Sequence, residues 1–236
     1  MLFSDLPGFV AKNFHFTRVD VDHDLMSEIY RLRYQVYCIE RGFECPDDYP
    51  DGLEMDAYDL CSNHFCAISV ANGKVIGTVR IIRDSCLGLP IERHCHLNKH
   101  RFTGTSTEVG EISRLAVSKD FRCLEINRLL GELQHIDFRT FKQVQEIKRA
   151  LEDYIVIGLY QCLYHHSIEL GLTHWYAVMS EALHGLLRRK GIAWTQIGAV
   201  TEYHGRRIPY LADIAENRRK ISLLNPQLLC QPTGWS

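Results

Sequence analysis

Two runs rich in β-branched and apolar residues, 64–70 and 74–83, are joined by Ala71-Asn72-Gly73. Asn-Gly between two such runs is a strong hairpin signal, because the tight turn needs positive φ at its centre. An isolated hairpin is marginal in water, so this pair demands further strands or a covering helix. Val109–Val117 and residues 173–179 read as strands, and 192–200 as a final one. Between them lie helical patterns. Leu25, Ile29, Leu32, Val36 and Ile39 recur at the spacing of one helical face over 25–40, with Gly42 as a stop. Residues 124–170 are helix-compatible, with room for a break near Glu152, and 180–190 form a helix with Ser180 as N-cap and Gly191 beyond its end. Two loops separate these elements, a Pro- and Asp-rich one over 45–59 and a longer one over 84–107 with room for a short helix. The order is helix, hairpin, strand, long helix, strand, helix, strand. It suits one α/β sheet with helices on its faces.

Length and composition agree. The 236 residues, 46% hydrophobic and 24% charged, support one core, and no linker divides it, so a single domain spanning 1–236 is expected. A formal charge of −2 supplies no global field for nucleic acid or membrane. No apolar run reaches the roughly 18 residues a bilayer span needs. The nine cysteines contain no CxxC and no paired spacing, and the opening residues carry no basic-then-apolar leader. A reduced, cytoplasmic protein with free thiols is expected.

The chemistry concentrates where charge interrupts apolar elements. Glu111-Ile112-Ser113-Arg114 sits inside the strand Val109–Val117. Strict alternation puts Glu111 and Ser113 on one face and Arg114 on the other, and a bulge brings Glu111 and Arg114 together. An ion pair on a sheet edge is the bland alternative. Arg80 interrupts the apolar Val79-Arg80-Ile81-Ile82, where an unpaired cation is costly. Arg33 lies in the first helix, and Asp56 and Asp59 in the loop after it.

Taken in order, these residues resemble the autoinducer synthases, and more closely the related N-acyl amino acid synthases and PEP-CTERM/exosortase-associated acyltransferases. The pattern is carried by Arg33 and Tyr37, by Phe43 where the family usually has Trp, and by Asp56 and Asp59. It continues through Gly77 and Arg80, Glu111, Arg114, Leu115, Ala116 and Val117, and a closing segment over 202–210. The match spans residues 25–215. It implies a GNAT-like (acyl-CoA N-acyltransferase) fold with one central mixed, mostly antiparallel sheet flanked by helices, and a helical insertion at about 123–150. It also implies Glu111 and Arg114 as catalytic residues. Arg33, Tyr37, Asp56, Asp59, Arg80, Ser113, Leu115 and Val117 would bind substrate. No permanent cofactor or metal is expected.

An ordinary CoA-dependent member would follow Leu115-Ala116-Val117 with Arg-x-x-Gly-x-Gly, whose bare amides grip a pyrophosphate. Here the residues are Phe121-Arg122-Cys123-Leu124-Glu125-Ile126-Asn127, without glycine. A phosphopantetheine arm carries no pyrophosphate, so acyl carrier protein is the expected donor. Such acidic carriers dock on basic patches, for which Arg122 and Arg128 are candidates. The expected acceptor is the amine of an amino acid, with S-adenosylmethionine and lactone formation as the alternative. Glu111 would take the amine's proton. Two other readings remain. One is a Cys–His nucleophile from Cys38, Cys61 or Cys66 with His64; the other is a non-catalytic module that binds acyl groups or their carrier.

Overall fold

The computed structural model describes residues 12–21, 24–84, 87–98, 101–119, 127–128, 131, 141–202, 205–232 and 235. The described strands form one eight-stranded sheet. In chain order they are β1 (Phe14–Val19), β2 (Ser62–Ser69), β3 (Val75–Ile82), β4 (Val109–Val117), β5 (His174–Met179), β6 (Thr195–Gln196), β7 (Thr201–Glu202) and β8 (Arg206–Asp213). Their spatial order is β1-β2-β3-β4-β5-β8-β6, with β7 also on β8. Every pairing is antiparallel except β4 with β5.

The helices cover both faces, and strand alternation decides what each buries. On β2, Phe65 and Ala67 enter the larger core with Phe14, Phe16, Ile155 and Leu159. Cys66, between them, joins Met26, Ile29, Leu32 and Val36. The first of these faces is covered by α3 (Phe141–Glu169), the second by α1 (Leu25–Tyr34). A short α2 (Pro90–His94) sits over Ile82 and Tyr176. The hairpin turns as expected, with Gly73 at φ +70° and its amide donating to the Ser69 carbonyl at 2.8 Å.

Three expectations need correction. The helix over 25–40 does run that length, but its second half, Gln35–Glu40, is π-helical. Widened turns of this kind recur at functional sites, and no periodicity announces them. The helix α3 runs unbroken through Glu152, a position with neither Gly nor Pro to interrupt it. The expected strand over 192–200 shrinks to β6, because the full-length partner of β5 is β8, whose Ile208, Tyr210 and Ala212 face the core. The helix α4 (Glu181–Arg189) follows β5, and α5 (Ile214–Leu224) follows β8, capped by Asp213 accepting from the Glu216 amide. The first part of the expected insertion, 123–140, falls largely outside the described residues.

One glycine locks α3 onto β1. A Cβ at Gly158 would lie 2.2 Å from the Phe16 ring. Gly158→Ala gains up to about 1 kcal/mol of helix propensity, but overpacking costs roughly 1–3 kcal/mol. A net loss is expected as a lower urea midpoint at unchanged slope; a raised midpoint would show that the ring moves aside freely.

Candidate active site

The strands β4 and β5 begin as partners and then part. Their ladder runs from Val109↔His174 to Ile112↔Ala177 and ends there. Beyond it, β4 stays with β3 and β5 stays with β8. A cavity of about 400 Å³ opens in the resulting gap. Residues 111–117 of β4 and 177–180 at the end of β5 line it, with Val156 and Tyr160 from α3 and Val36 and Tyr37 from the π-helical turn. The inner edges of both strands, left without a ladder partner, offer backbone donors and acceptors to whatever enters.

A bulge on β4 sets which side chains face the site. Arg80 pairs with Ser113, but Thr78 pairs with Ala116, so one extra residue lies on β4 between them. Arg114 takes it up at φ +51°, the non-glycine residue of positive φ among those described. That conformation costs about 1–2 kcal/mol. Without the bulge Arg114 would point toward α3. With it, Arg114 shares the α1 side with Ser113, and Leu115 swings toward the α3 core. The bulge does place Glu111 and Arg114 on one cavity wall.

They are not an ion pair. Arg114 Nε and Nη2 donate to Glu54 Oε1 at 3.1 and 2.9 Å, and Nη2 lies 3.0 Å from Asp56 Oδ2. Its guanidinium stands 5.4 Å from the Tyr37 ring centre. Tyr37 donates to the Leu115 carbonyl at 3.1 Å, tying the π-helical turn to the bulge. Glu111 is 2% exposed and accepts from the Ile91 amide of α2 at 2.8 Å. Burial pushes its carboxyl up to about 8, and neither the Ile91 amide nor the more distant Arg80 and Arg114 reverses that.

Behind the cavity lies a closed network of charges. Arg33 Nε donates to Glu54 Oε2, and its Nη1 donates to Asp59 Oδ1 at 2.7 Å. Arg80 grips both Asp56 oxygens at 2.7 Å, also donates to Asp59, and sends Nε to Ser113 Oγ at 2.9 Å. Three arginines thus face Glu54, Asp56 and Asp59, with Glu44 a fourth carboxylate 3.4 Å from Arg114 Nη2. Burial opposes ionisation of Glu54, Asp56 and Asp59, but the arginines together outweigh it and hold all three below their ordinary range. Arg33, Asp56, Asp59 and Arg80 were legible as a group. Glu54, fully buried and bridging Arg33 to Arg114, was not. Its only signal is a carboxylate amid apolar neighbours in Leu53-Glu54-Met55.

Of the expected substrate residues, Tyr37, Asp56, Arg80, Ser113, Leu115 and Val117 line the cavity, while Arg33 and Asp59 stand behind it. Arg128 is half-buried and donates to Asn13 Oδ1 at 3.2 Å; Arg122 lies outside the described residues. A cysteine nucleophile fits poorly. Burial pushes the thiols of Cys38 and Cys66 up to about 11 and 12, Cys61 donates to the Tyr58 carbonyl, and His64 Nε2 donates to the Asp59 carbonyl. All described cysteines are free thiols. Among the described residues no His, Cys, Asp and Glu cluster could hold a metal, and no helix is long and apolar enough to cross a membrane.

Comparison with known proteins identifies the fold. The model of the acetyltransferase (GNAT) domain family matches residues 32–132. An acyl-homoserine-lactone synthase of Vibrio anguillarum is 23% identical over 170 residues, covering 72% of this chain and 75% of that protein. Among solved structures, the CoA-dependent acyl-homoserine lactone synthase BjaI, with SAM and isopentyl-CoA, superposes with TM-score 0.64 at 17% identity. That match covers 94% of this chain and 92% of BjaI. FeeM, an N-acyl amino acid synthase from uncultured soil microbes, superposes with TM-score 0.52 at 13% identity over 88% of this chain and 94% of that one. The fold is the GNAT fold, with the expected mixed, mostly antiparallel sheet between helices.

Proposed function

We propose that this chain, an autoinducer-synthase-like GNAT acyltransferase, moves a fatty acyl group from acyl carrier protein to the amine of an amino acid. One observation carries the reading: the buried Glu111 stands beside the point where β4 and β5 part, in a cavity that joins charged groups to apolar ones such as Leu115, Val117, Val156 and Leu183. An acyl-pantetheine arm has amides to pair with the two free strand edges, as an added strand would. Its thioester would then lie near Glu111.

Glu111 takes one proton from the substrate ammonium, directly or through a water. The neutral nitrogen attacks the thioester carbonyl, the amide bond forms and the C–S bond breaks. The amine's second proton leaves with the thiolate as free thiol. The residue Arg114 acts through position: bound by Glu54 and Asp56, it shapes the wall beside Glu111. A base near the working pH is effective, and burial puts Glu111 there. The deprotonated form is the active one, so kcat/KM should rise with pH through a limb near about 8. A flat profile between pH 6 and 9 would remove Glu111 as the base.

The carrier protein is favoured over CoA by the glycine-free run at 121–127, and free thiols suit a cytoplasmic setting. The segment 202–210 supports the exosortase-associated branch by resemblance. The test is thiol release from acyl carrier protein and from acyl-CoA, each with single amino acids, products read by mass spectrometry. Amine-dependent release yielding an N-acyl amino acid is expected. Binding without release for any amine would leave a non-catalytic module. The second reading follows the Vibrio relative: S-adenosylmethionine as acceptor, with an N-acyl homoserine lactone as product. Neutralising Arg122 and Arg128 together should weaken carrier docking and flatten its salt dependence; affinity unchanged at every ionic strength would remove that patch.

A further inference from the structure

Four arginines line the cavity: Arg41, Arg80, Arg114 and Arg207. Arg80 is matched by Asp56 and Asp59, and Arg114 by Glu54 and Asp56. The other two have no such match. Among the described residues neither Arg41 nor Arg207 forms an ion pair, and Arg207 donates only to the adjacent Arg206 carbonyl at 3.0 Å. Asp56 and Glu111 are the carboxyls on the cavity wall. The first is already shared by two arginines, and the second is buried against the Ile91 amide. Among the described residues, Arg41 and Arg207 therefore stand on the cavity wall without an ion-pair partner.

Their placement is built rather than incidental. Arg207 comes from β8, in the closing segment of the sequence, and its guanidinium lies 4.9 Å from the Phe43 ring centre. Phe43 is itself fixed, its amide donating to the Tyr37 carbonyl at 2.7 Å and its ring 6.2 Å from Tyr37. Arg41 follows the π-helical turn and is exposed. Partial burial lowers the Arg207 pKa, Arg41 adds repulsion, and the pull of Tyr37 and Glu202 does not restore it. A half-buried guanidinium in this state gains most from a ligand that brings the missing charge.

We propose that Arg41 and Arg207 form a clamp for an oxyanion of the incoming substrate, a carboxylate or a phosphate. The assignment of that anion rests on the acyltransfer reading. It is either the carboxylate of the amine acceptor or the phosphate of the carrier's arm. Two planar forks at the rim of one cavity suit either one.

Matched ligand pairs that differ only in the anion test this. Calorimetric titration would compare N-dodecanoylglycine with N-dodecanoylglycinamide, and dodecanoyl-phosphopantetheine with dodecanoyl-pantetheine. The parent protein should prefer the anionic member of one pair by about tenfold or more, and the Arg41→Gln/Arg207→Gln double variant should lose that preference. Preference within the first pair identifies the acceptor carboxylate, and within the second the arm's phosphate. An Arg41→Lys/Arg207→Lys variant should retain part of it, because charge survives without the fork. Equal binding of both members of both pairs by the parent overturns the proposal, as does an undiminished preference in a folded Gln variant. Failure of every amine to release thiol would refute acyltransfer instead, leaving the binding comparison to decide the clamp.

Discussion

Glu111→Gln is expected to lower kcat/KM by roughly 100-fold or more, the usual scale for removing a positioned base, while making the protein more stable in alkali. The two effects share one cause. Burial raises the folded-state pKa of Glu111 to about 8 from an ordinary 4.5. Between those values the folded state holds a proton that the unfolded state has released. The stabilising contribution is complete below pH 4.5, declines above it and is gone by about pH 8, where a buried carboxylate must ionise. Stability changes by about 1.4 kcal/mol for each pH interval of one between those two values, so the penalty at pH 9 is on the order of a few kcal/mol. Glutamine carries no such penalty and keeps an oxygen for the Ile91 amide. Melting of parent and variant from pH 5 to 9 should diverge upward in favour of the variant. If the parent remained the more stable at pH 9, Glu111 would be ionised at little cost, and its fitness as a base near neutrality would go with it. An unchanged rate at full stability would remove the residue from the chemistry.

Much of this arrangement was legible because local chemistry announced it. Asn72-Gly73 marks the hairpin, Ser180 caps the helix that starts at Glu181, and Val109–Val117 has the bounds its apolar run suggests. Strand parity was legible too, since alternation puts Glu111 and Arg114 on opposite faces unless one residue is added. Parity does not reveal the energetic purpose of the bulge. Arg114 is turned toward Glu54, a residue 60 positions earlier, and not toward Glu111. Glu54 lies in a loop without periodicity, so only tertiary convergence of that loop with α1 and β4 gives it a role. The π-helical turn escaped for a similar reason, because helical spacing over 25–40 looks the same with one wide turn. The strand β8 was hidden behind its own motif: residues 202–210 read as a signature, although Ile208, Tyr210 and Ala212 alternate as a buried strand should. β1 shows the same alternation in Phe14 and Phe16 and likewise went unread.

Glu54→Gln is expected to destabilise the fold by about 3–5 kcal/mol, the scale for breaking a buried ion pair from one side. Glu54 is fully buried and its two oxygens are divided between Arg33 and Arg114. The amide keeps the shape but leaves the buried Arg33 and the part-buried Arg114 with one negative charge fewer. Arg33→Lys should fall in the same direction, because an ammonium cannot serve Glu54 and Asp59 in the fork that Arg33 presents. The control is the exposed Arg18–Asp20 pair, where Asp20→Asn should cost under about 1 kcal/mol. Equilibrium urea unfolding at pH 7 reads all three, and a loss at Glu54 no larger than at Asp20 would mean water reaches the network. pH supplies an independent check. Arg33, Arg80 and Arg114 hold Glu54, Asp56 and Asp59 below their ordinary pKa. Their stabilisation is present above the unfolded values near pH 4 and is lost as pH falls through the lowered ones. Acid therefore dismantles the network that fixes Arg114, alkali charges Glu111, and the site is held best between them. Because Glu54 also holds Arg114 against the bulge, the Gln variant should lose activity at temperatures where it is still folded. Circular dichroism and turnover would then fall at different temperatures in the variant and together in the parent.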